Sequence, residues 1–387
     1  MRKINKNSMS FCLVEKNDQI IAIITDGDIR RHITKGGSLK DPVTIAANKK
    51  FYYLTKEKIN TRVFDVKKYF KSSIKYIPVI DKNKKLNRIF FKETDISTSL
   101  VKPYFGGNEI NYLNECIKSN WISSQGKFVE KFENKFQEIF KTSYNLTASN
   151  GTNALHLILA SLGIGRGDEV IVPDYTFIGS VNPIIYNNAT PKLVDIDDNF
   201  GIDAKKIEKN LSKKVKAIIV VHLFGVPANI YEIKKIAKKN NIFLIEDCAE
   251  AIGSYVRNNH VGNFGDAAMF SFFGNKTITT GEGGMACFKK KKYYEKAKLL
   301  RDHGMSKNKR YWHEIVGYNY RMTNMQAAVG LAQLENYRSI IRKKKEIAKT
   351  YNQLLKKNNF IKTLPILKNK VNSYWFYVIQ IKNTNKF

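Results

Sequence analysis

Apolar and polar positions change rhythm near Leu100. Before it, VEKNDQIIAIITDGDI (Val14 to Ile29) is echoed by VIDKNKKLNRIFFKETDI (Val79 to Ile96) at an offset of 66 to 67 residues. In each copy two apolar runs flank an Asn-containing turn and a Thr/Asp cluster follows, a pattern that predicts strand, turn, strand and the start of a helix. Beyond Leu100, Asp168 to Pro173, Lys192 to Ile196, Val215 to Val221 and Ile242 to Glu246 are short β-rich runs. Between them Ala154, Leu155, Ile158, Leu159 and Leu162 fall on one stripe at helical spacing, and Tyr231 to Lys239 behaves alike. Strand-helix-strand repetition predicts an α/β domain whose mainly parallel sheet is covered on both faces. From Asn324 to Lys356 only Gly330 interrupts the pattern, which predicts a long helix leaving the sheet.

At 387 residues with 43% apolar content, two or three domains with substantial cores are expected, and wholesale disorder is excluded. The longest apolar run, Ala217 to Val226, is broken by His222 and is far shorter than the ~20 residues that cross a bilayer. The N-terminus lacks an apolar export signal, so a soluble cytoplasmic protein with no membrane contact is expected. Cys12, Cys116, Cys248 and Cys287 are scattered without a CxxC pair, which fits reduced thiols and no metal site. The net charge of +32 raises the possibility of a polyanion partner, but only twelve of the 66 cations are arginine and the lysines are spread in short runs. Nucleic acid is therefore not the expected partner, whereas an anionic small substrate would gain from the same field.

Four segments offer chemistry. Ser149-Asn150-Gly151-Thr152 opens a helix whose free N–H groups suit a phosphate, although an ordinary capped helix reads the same way. Asp247 follows an apolar strand, where ligands of α/β sheets sit; a buried carboxylate there needs a cationic or hydrogen-bonding partner, either a ligand or a neighbouring lysine. Lys276 lies between SFFGN and a Gly-rich stretch, and desolvation makes a lysine a better nucleophile, although most lysines of this chain must be solvated charges. Phe177, after the strand ending in Pro173, could stack on a flat cofactor or simply belong to the core.

SFFGNKTITTGEGGM, EDCAEAIGS and GYNYRMTNMQAA together resemble the sugar-nucleotide aminotransferases of the aspartate aminotransferase fold (fold type I), in particular the GDP-perosamine synthase group. The resemblance implies a seven-stranded, mainly parallel sheet between helices and pyridoxal 5'-phosphate (PLP) as cofactor. It makes Lys276 the lysine that bonds to the cofactor and Asp247 the partner of the pyridine nitrogen. Phe177 becomes the stacking ring, Glu250 a cofactor-facing residue, and Gly151, Thr152 and Ser271 phosphate contacts. Asn319 would reach the phosphate of a second subunit, which implies a homodimer. A dehydrase branch carries histidine at the lysine position, so Lys276 implies transamination, from L-glutamate to the 4-keto carbon of a nucleotide-linked deoxy sugar for surface polysaccharide.

Residues 23–31 (IITDGDIRR) resemble the end of a CBS-type module, which implies adenine-nucleotide contacts at Thr25 and Asp28; a packing domain with capped helix starts is the alternative. The expected division is a CBS-like α+β domain over 1–98, a PLP-binding large domain over 99–345, and over 346–387 the start of a small C-terminal domain, cut short, with its first strand at Ser373 to Ile381. Other readings are transamination of a different nucleotide keto-sugar and a non-catalytic cofactor- or nucleotide-binding regulator.

Overall fold

The computed structural model describes residues 4, 11–59, 66–70, 74–91, 100–364 and 367–381. The chain divides into two units, Met1–Leu100 and Val101–Phe387.

In the first unit Phe11–Lys16 pairs antiparallel with Gln19–Thr25. Asn17 and Asp18 turn the chain with φ of 51° and 59°, a left-handed geometry that these two residue types tolerate well. The second copy forms the antiparallel pair Tyr76–Ile80 and Leu86–Phe91, with Leu54–Thr55 parallel beside it. Its Thr94-Asp95 cluster lies outside the described residues. The copies meet: Ile20 N–H donates to the Lys84 carbonyl at 2.9 Å, and the Phe11 and Tyr76 rings stack at 3.9 Å. Helix Asp26–Thr34 starts from a capping box in which Thr25 Oγ1 accepts from Asp28 N–H, while the Thr25 N–H and hydroxyl both donate to Asp28 Oδ2. The two groups expected to face a ribose thus bond to each other.

In the second unit β1 (Tyr144–Ala148), β2 (Glu169–Pro173), β3 (Thr190–Val194), β4 (Val215–Val221), β5 (Phe243–Asp247), β6 (Ala267–Ser271) and β7 (Gly284–Phe288) form one sheet in the order β1-β7-β6-β5-β4-β2-β3. Only β7 is reversed, antiparallel to both β6 and β1. Strand-helix-strand alternation accounts for the parallel strands up to β5, while the β5–β6 connection carries only the short strands Tyr255–Val256 and Asn259–His260.

One face carries helices Lys127–Phe140, Ile230–Lys239 and Asn324–Leu355. Phe128, Phe132, Phe136 and Phe140 recur every fourth residue, so their rings fall on one stripe; all are buried, and Phe136 and Phe132 meet Phe270 and Phe272 edge-on at 5.0 and 5.1 Å. The other face carries Gly151–Leu162, which is buried on nearly every side. Asn324–Leu355 starts from a capping box of Thr323 with Gln326. Its glycine has a packing cause: a Cβ on Gly330 would lie 2.7 Å from the Phe132 ring.

The strand expected at Ser373 to Ile381 is a strand only at Ile379–Ile381, paired antiparallel with Ile361–Thr363. Residues 373–377 turn instead toward the loops of the large sheet, because Ser373 N–H donates to Ser254 Oγ (3.1 Å) and Trp375 Nε1–H to the Asn275 carbonyl (2.8 Å). No helix among the described residues is long and apolar enough to cross a membrane.

Candidate active site

Side chains alternate along β5, so its last two carboxylates point to opposite faces. Glu246 serves the fold: its oxygens accept from the N–H groups of Gly262 (2.8 Å), Phe264 (2.7 Å) and Gly265 (2.7 Å) and from His222 Nε2 (3.0 Å). His222 Nδ1 accepts from Ala228 N–H, which leaves the imidazole hydrogen on Nε2 for that bond. Burial pushes the Glu246 carboxyl up, but His222 and the backbone donors outweigh it and hold it below its ordinary value. His222, Glu246 and Cys248 offer ligand atoms within 4.8 Å of one another, yet both Glu246 oxygens and both His222 nitrogens already have partners.

Asp247 faces the other way, at the carboxyl end of the central strand, with Val221 and Met269 as register partners on β4 and β6. Ser180 Oγ donates to Oδ2 at 2.7 Å and Ala249 N–H to Oδ1 at 3.0 Å. Both donors are neutral, and no ion pair among the described residues includes Asp247. Burial pushes its carboxyl above the ordinary range; the two hydrogen bonds and the Lys276 charge offset that only in part. A buried carboxylate without a cation beside it is expensive, and a ligand that brings one would relieve it.

Lys276 is held near this acid. Its Nζ lies 3.4 Å from Glu250 Oε1 and 4.0 Å from the centre of the Trp375 ring, with 13% of the side chain exposed. Glu250 is buried at the start of the turn after β5, where Phe224 N–H donates to its other oxygen at 2.8 Å. Burial pushes the Glu250 carboxyl up and the Lys276 charge pulls it back in part.

The remaining candidates surround the start of helix Gly151–Leu162. Asn150 caps it by accepting from Asn153 N–H. A Cβ on Gly151 would lie 3.0 Å from Ser271 Cβ and 3.2 Å from Met269 Sδ, so helix start and strand end approach closely only because that Cβ is missing. Thr152 and Phe177 border one point: a Cβ on Gly179 would meet the Phe177 ring at 3.0 Å and Thr152 Oγ1 at 3.2 Å. Phe177 is 72% exposed, so its ring is a surface and not core. Asn319 stands apart, exposed, with Arg321 and the backbone of Asp302 as its partners. Its neighbour Tyr320 ties that loop to the helix start by accepting from Ser149 N–H at 2.8 Å. Sequence reasoning missed Ser180, which carried no signal beyond its place in a turn, and Trp375, whose apolar neighbours read as a strand.

A helix start facing a strand end, a buried acid lacking a cation and a half-dry lysine suit a flat anionic cofactor with a basic ring nitrogen. Residues 103–386 match the model of the DegT/DnrJ/EryC1/StrS aminotransferase family. The chain belongs to this family. Among curated relatives it is 48% identical to a GDP-perosamine synthase of Escherichia coli O157:H7, over 72% of this chain and 77% of that protein. It is 44% identical to a GDP-perosamine synthase of Caulobacter vibrioides, over 73% and 77%. Among solved structures, PseC of Helicobacter pylori, an aminotransferase involved in the biosynthesis of pseudoaminic acid, superposes with a TM-score of 0.70 at 29% identity, covering 73% of this chain and 77% of that one. DegT/DnrJ/EryC1/StrS aminotransferases depend on PLP, and the residues present fit that group: Asp247 bonds only neutral donors and its burial is offset only in part, which suits a ring cation, and the Gly151–Ser271 approach forms a cradle at a helix N-terminus.

Proposed function

We propose that this aminotransferase moves an amino group from L-glutamate to the 4-keto carbon of a GDP-linked 6-deoxy sugar, as a GDP-perosamine synthase does, in the making of a surface polysaccharide. The observation that carries the catalytic part is the buried Asp247, which makes no ion pair among the described residues, in the same site as a lysine whose ion-pair partner is Glu250. The substrate class rests on the relatives of 44 and 48% identity.

In this reading Gly151, Thr152 and Ser271 hold the cofactor phosphate, Phe177 covers the ring and Glu250 faces the cofactor beside Lys276. PLP, once bound, supplies the electron sink for loss of the α-proton of the amino donor. Asp247 stays ionised against the ring nitrogen, with Ser180 and Ala249 fixing its two oxygens. Lys276 Nζ is the atom that would attach the cofactor, and as a free amine it would take up and return the proton of the amino donor there. Its pairing with Glu250 at 3.4 Å would hold that atom in the largely buried site.

Asn319 reaching a neighbouring phosphate makes the working form a homodimer, and exposed Tyr186, Tyr311, Trp312 and Val316 supply apolar surface for it. The site is cytoplasmic, where nucleotide sugars are made. For the N-terminal unit an adenine nucleotide at Thr25 and Asp28 is the CBS-like reading; it requires their mutual hydrogen bonds to open, and isothermal titration with adenine nucleotides tests it. The main proposal is tested by incubating the full chain with glutamate and a panel of GDP-, dTDP- and UDP-linked 4-keto sugars while following product mass. Conversion of C=O to CH–NH2 on the GDP sugar alone, a loss of O with a gain of NH3, is the expected result, and turnover confined to another nucleotide would overturn the substrate assignment.

A further inference from the structure

Lys276 has a second neighbour that the reaction as described does not use. The face of the Trp375 indole lies over Nζ, 4.0 Å from ring centre to nitrogen, while Glu250 approaches at 3.4 Å. Trp375 is itself 7% exposed and is fixed by more than packing. Its Nε1–H donates to the carbonyl of Asn275, the residue just before the lysine, at 2.8 Å. Its own carbonyl accepts from Lys344 Nζ on the long helix at 3.2 Å, and its ring stacks on Phe376 at 3.8 Å. Two residues earlier, Ser373 N–H donates to Ser254 Oγ and Ser373 Oγ to the carbonyl of Glu250. The segment is therefore tied to both loops that carry the ion pair, and this is why residues 373–377 leave the strand path.

A ring face attracts a cation through its quadrupole and excludes water from it at the same time, whereas the smaller, aliphatic side chain of leucine offers no such attraction. An indole held by its N–H to the backbone next to the lysine fixes the side from which that cation is covered.

We propose that Trp375 is a positioning residue for Lys276: the indole face and the Glu250 carboxylate hold the amine between them and keep bulk water from it. This rests on the reading of Lys276 as the reactive amine. It adds that the reactive geometry is completed by a segment almost 100 residues later in the chain, which the site otherwise does not require.

The test is made on the full chain freed of cofactor. A brief pulse of an acetylating reagent, followed by peptide mass analysis, gives the labelling of Lys276 relative to exposed Lys213. In Trp375→Leu, Lys276 labelling is expected to rise about fivefold, while Trp375→Phe, which keeps an aromatic face, stays within about twofold of the parent chain. On the cofactor-loaded protein the pH midpoint of the visible band is expected to move in Trp375→Leu and to return toward the parent value in Trp375→Phe. Equal labelling of Lys276 in the parent and Trp375→Leu, with circular dichroism unchanged, would overturn the proposal. So would an equal rise in both variants, since the ring face would then play no part. Should Trp375→Leu not fold, a fivefold rise in Trp375→Phe overturns it alone. Borohydride fixation of cofactor on Lys276 in the parent chain tests the underlying reading separately: its failure removes the catalytic role and leaves the labelling result standing.

Discussion

Nζ of Lys276 lies 3.4 Å from Oε1 of Glu250, with both side chains largely buried. Glu250 has its carboxyl raised by burial despite the lysine, so as pH falls it takes up a proton above the 4.5 of a free glutamate and the pair is lost. The rate should therefore show an acid limb above 4.5. Glu250→Gln keeps an oxygen for Phe224 N–H and has nothing to titrate, so its kcat should fall by about tenfold or less while the acid limb disappears. A pH–rate profile of both proteins decides it; an unchanged limb in the variant assigns the titration elsewhere.

Asp247 predicts a separation of activity from stability. A carboxyl with a raised folded pKa favours folding only while protonated; the cost of ionising it sets in above 3.8 and is complete once pH passes the folded value. At neutral pH the cofactor-free Asp247→Asn protein should accordingly be as stable as the parent or more so, since Asn still accepts from Ser180 or Ala249. Its kcat should fall about a hundredfold or more, near 2.7 kcal/mol of barrier, because a neutral amide does not hold the proton on the ring nitrogen. Urea melts and single-turnover rates measure the two arms. In the parent, cofactor affinity should rise with pH up to the Asp247 value, since the acid must lose its proton to pair with a cationic ring.

Glu246, one residue away, predicts the reverse. Its carboxylate accepts four hydrogen bonds in a fully buried site, and an amide turns one acceptor into a donor facing those N–H groups. Glu246→Gln should cost about 3 kcal/mol. Its lowered folded pKa means the contribution is present above 4.5 and is lost as pH falls through the lower folded value, so the variant should also be less acid-sensitive than the parent. Urea midpoints at pH 7 and at acid pH check both statements.

The contrast between these neighbours shows what a sequence discloses. IFLIED reads as a buried strand with acids at its end, and the Gly-rich stretch after Lys276 marks a loop, because periodicity and turn chemistry are local properties. Which acid meets a ligand and which closes a backbone knot depends on Ser180, His222 and the loop at Gly262, brought in from 16 to 67 residues away. Trp375 illustrates the same limit: SYWFYVIQI has the composition of a strand, and only hydrogen bonds to Asn275 and Ser254 turn its first half toward the site. Thr25 and Asp28 show the converse, since the spacing that suggests a ribose contact is also that of a capping box.

Gly151 gives the sharpest test of the phosphate cradle. It lies at the first position of a helix with ordinary backbone angles, so alanine is locally acceptable and even favoured by about 0.5 to 1 kcal/mol in helix propensity. The added methyl, however, would lie 3.0 Å from Ser271 Cβ and 3.2 Å from Met269 Sδ, and one of these must move by a few tenths of an ångström. Ser271 belongs to a central strand and yields reluctantly, so the strain falls on the space above the helix N–H groups. Gly151→Ala should therefore keep the urea midpoint of the parent within about 1 kcal/mol while binding PLP about tenfold more weakly. Thr152→Ala, which removes one hydroxyl and adds no bulk, should weaken cofactor by about fivefold, near 1 kcal/mol. Fluorescence titration of the cofactor-free chains measures both, and unchanged affinity in Gly151→Ala would place the phosphate elsewhere.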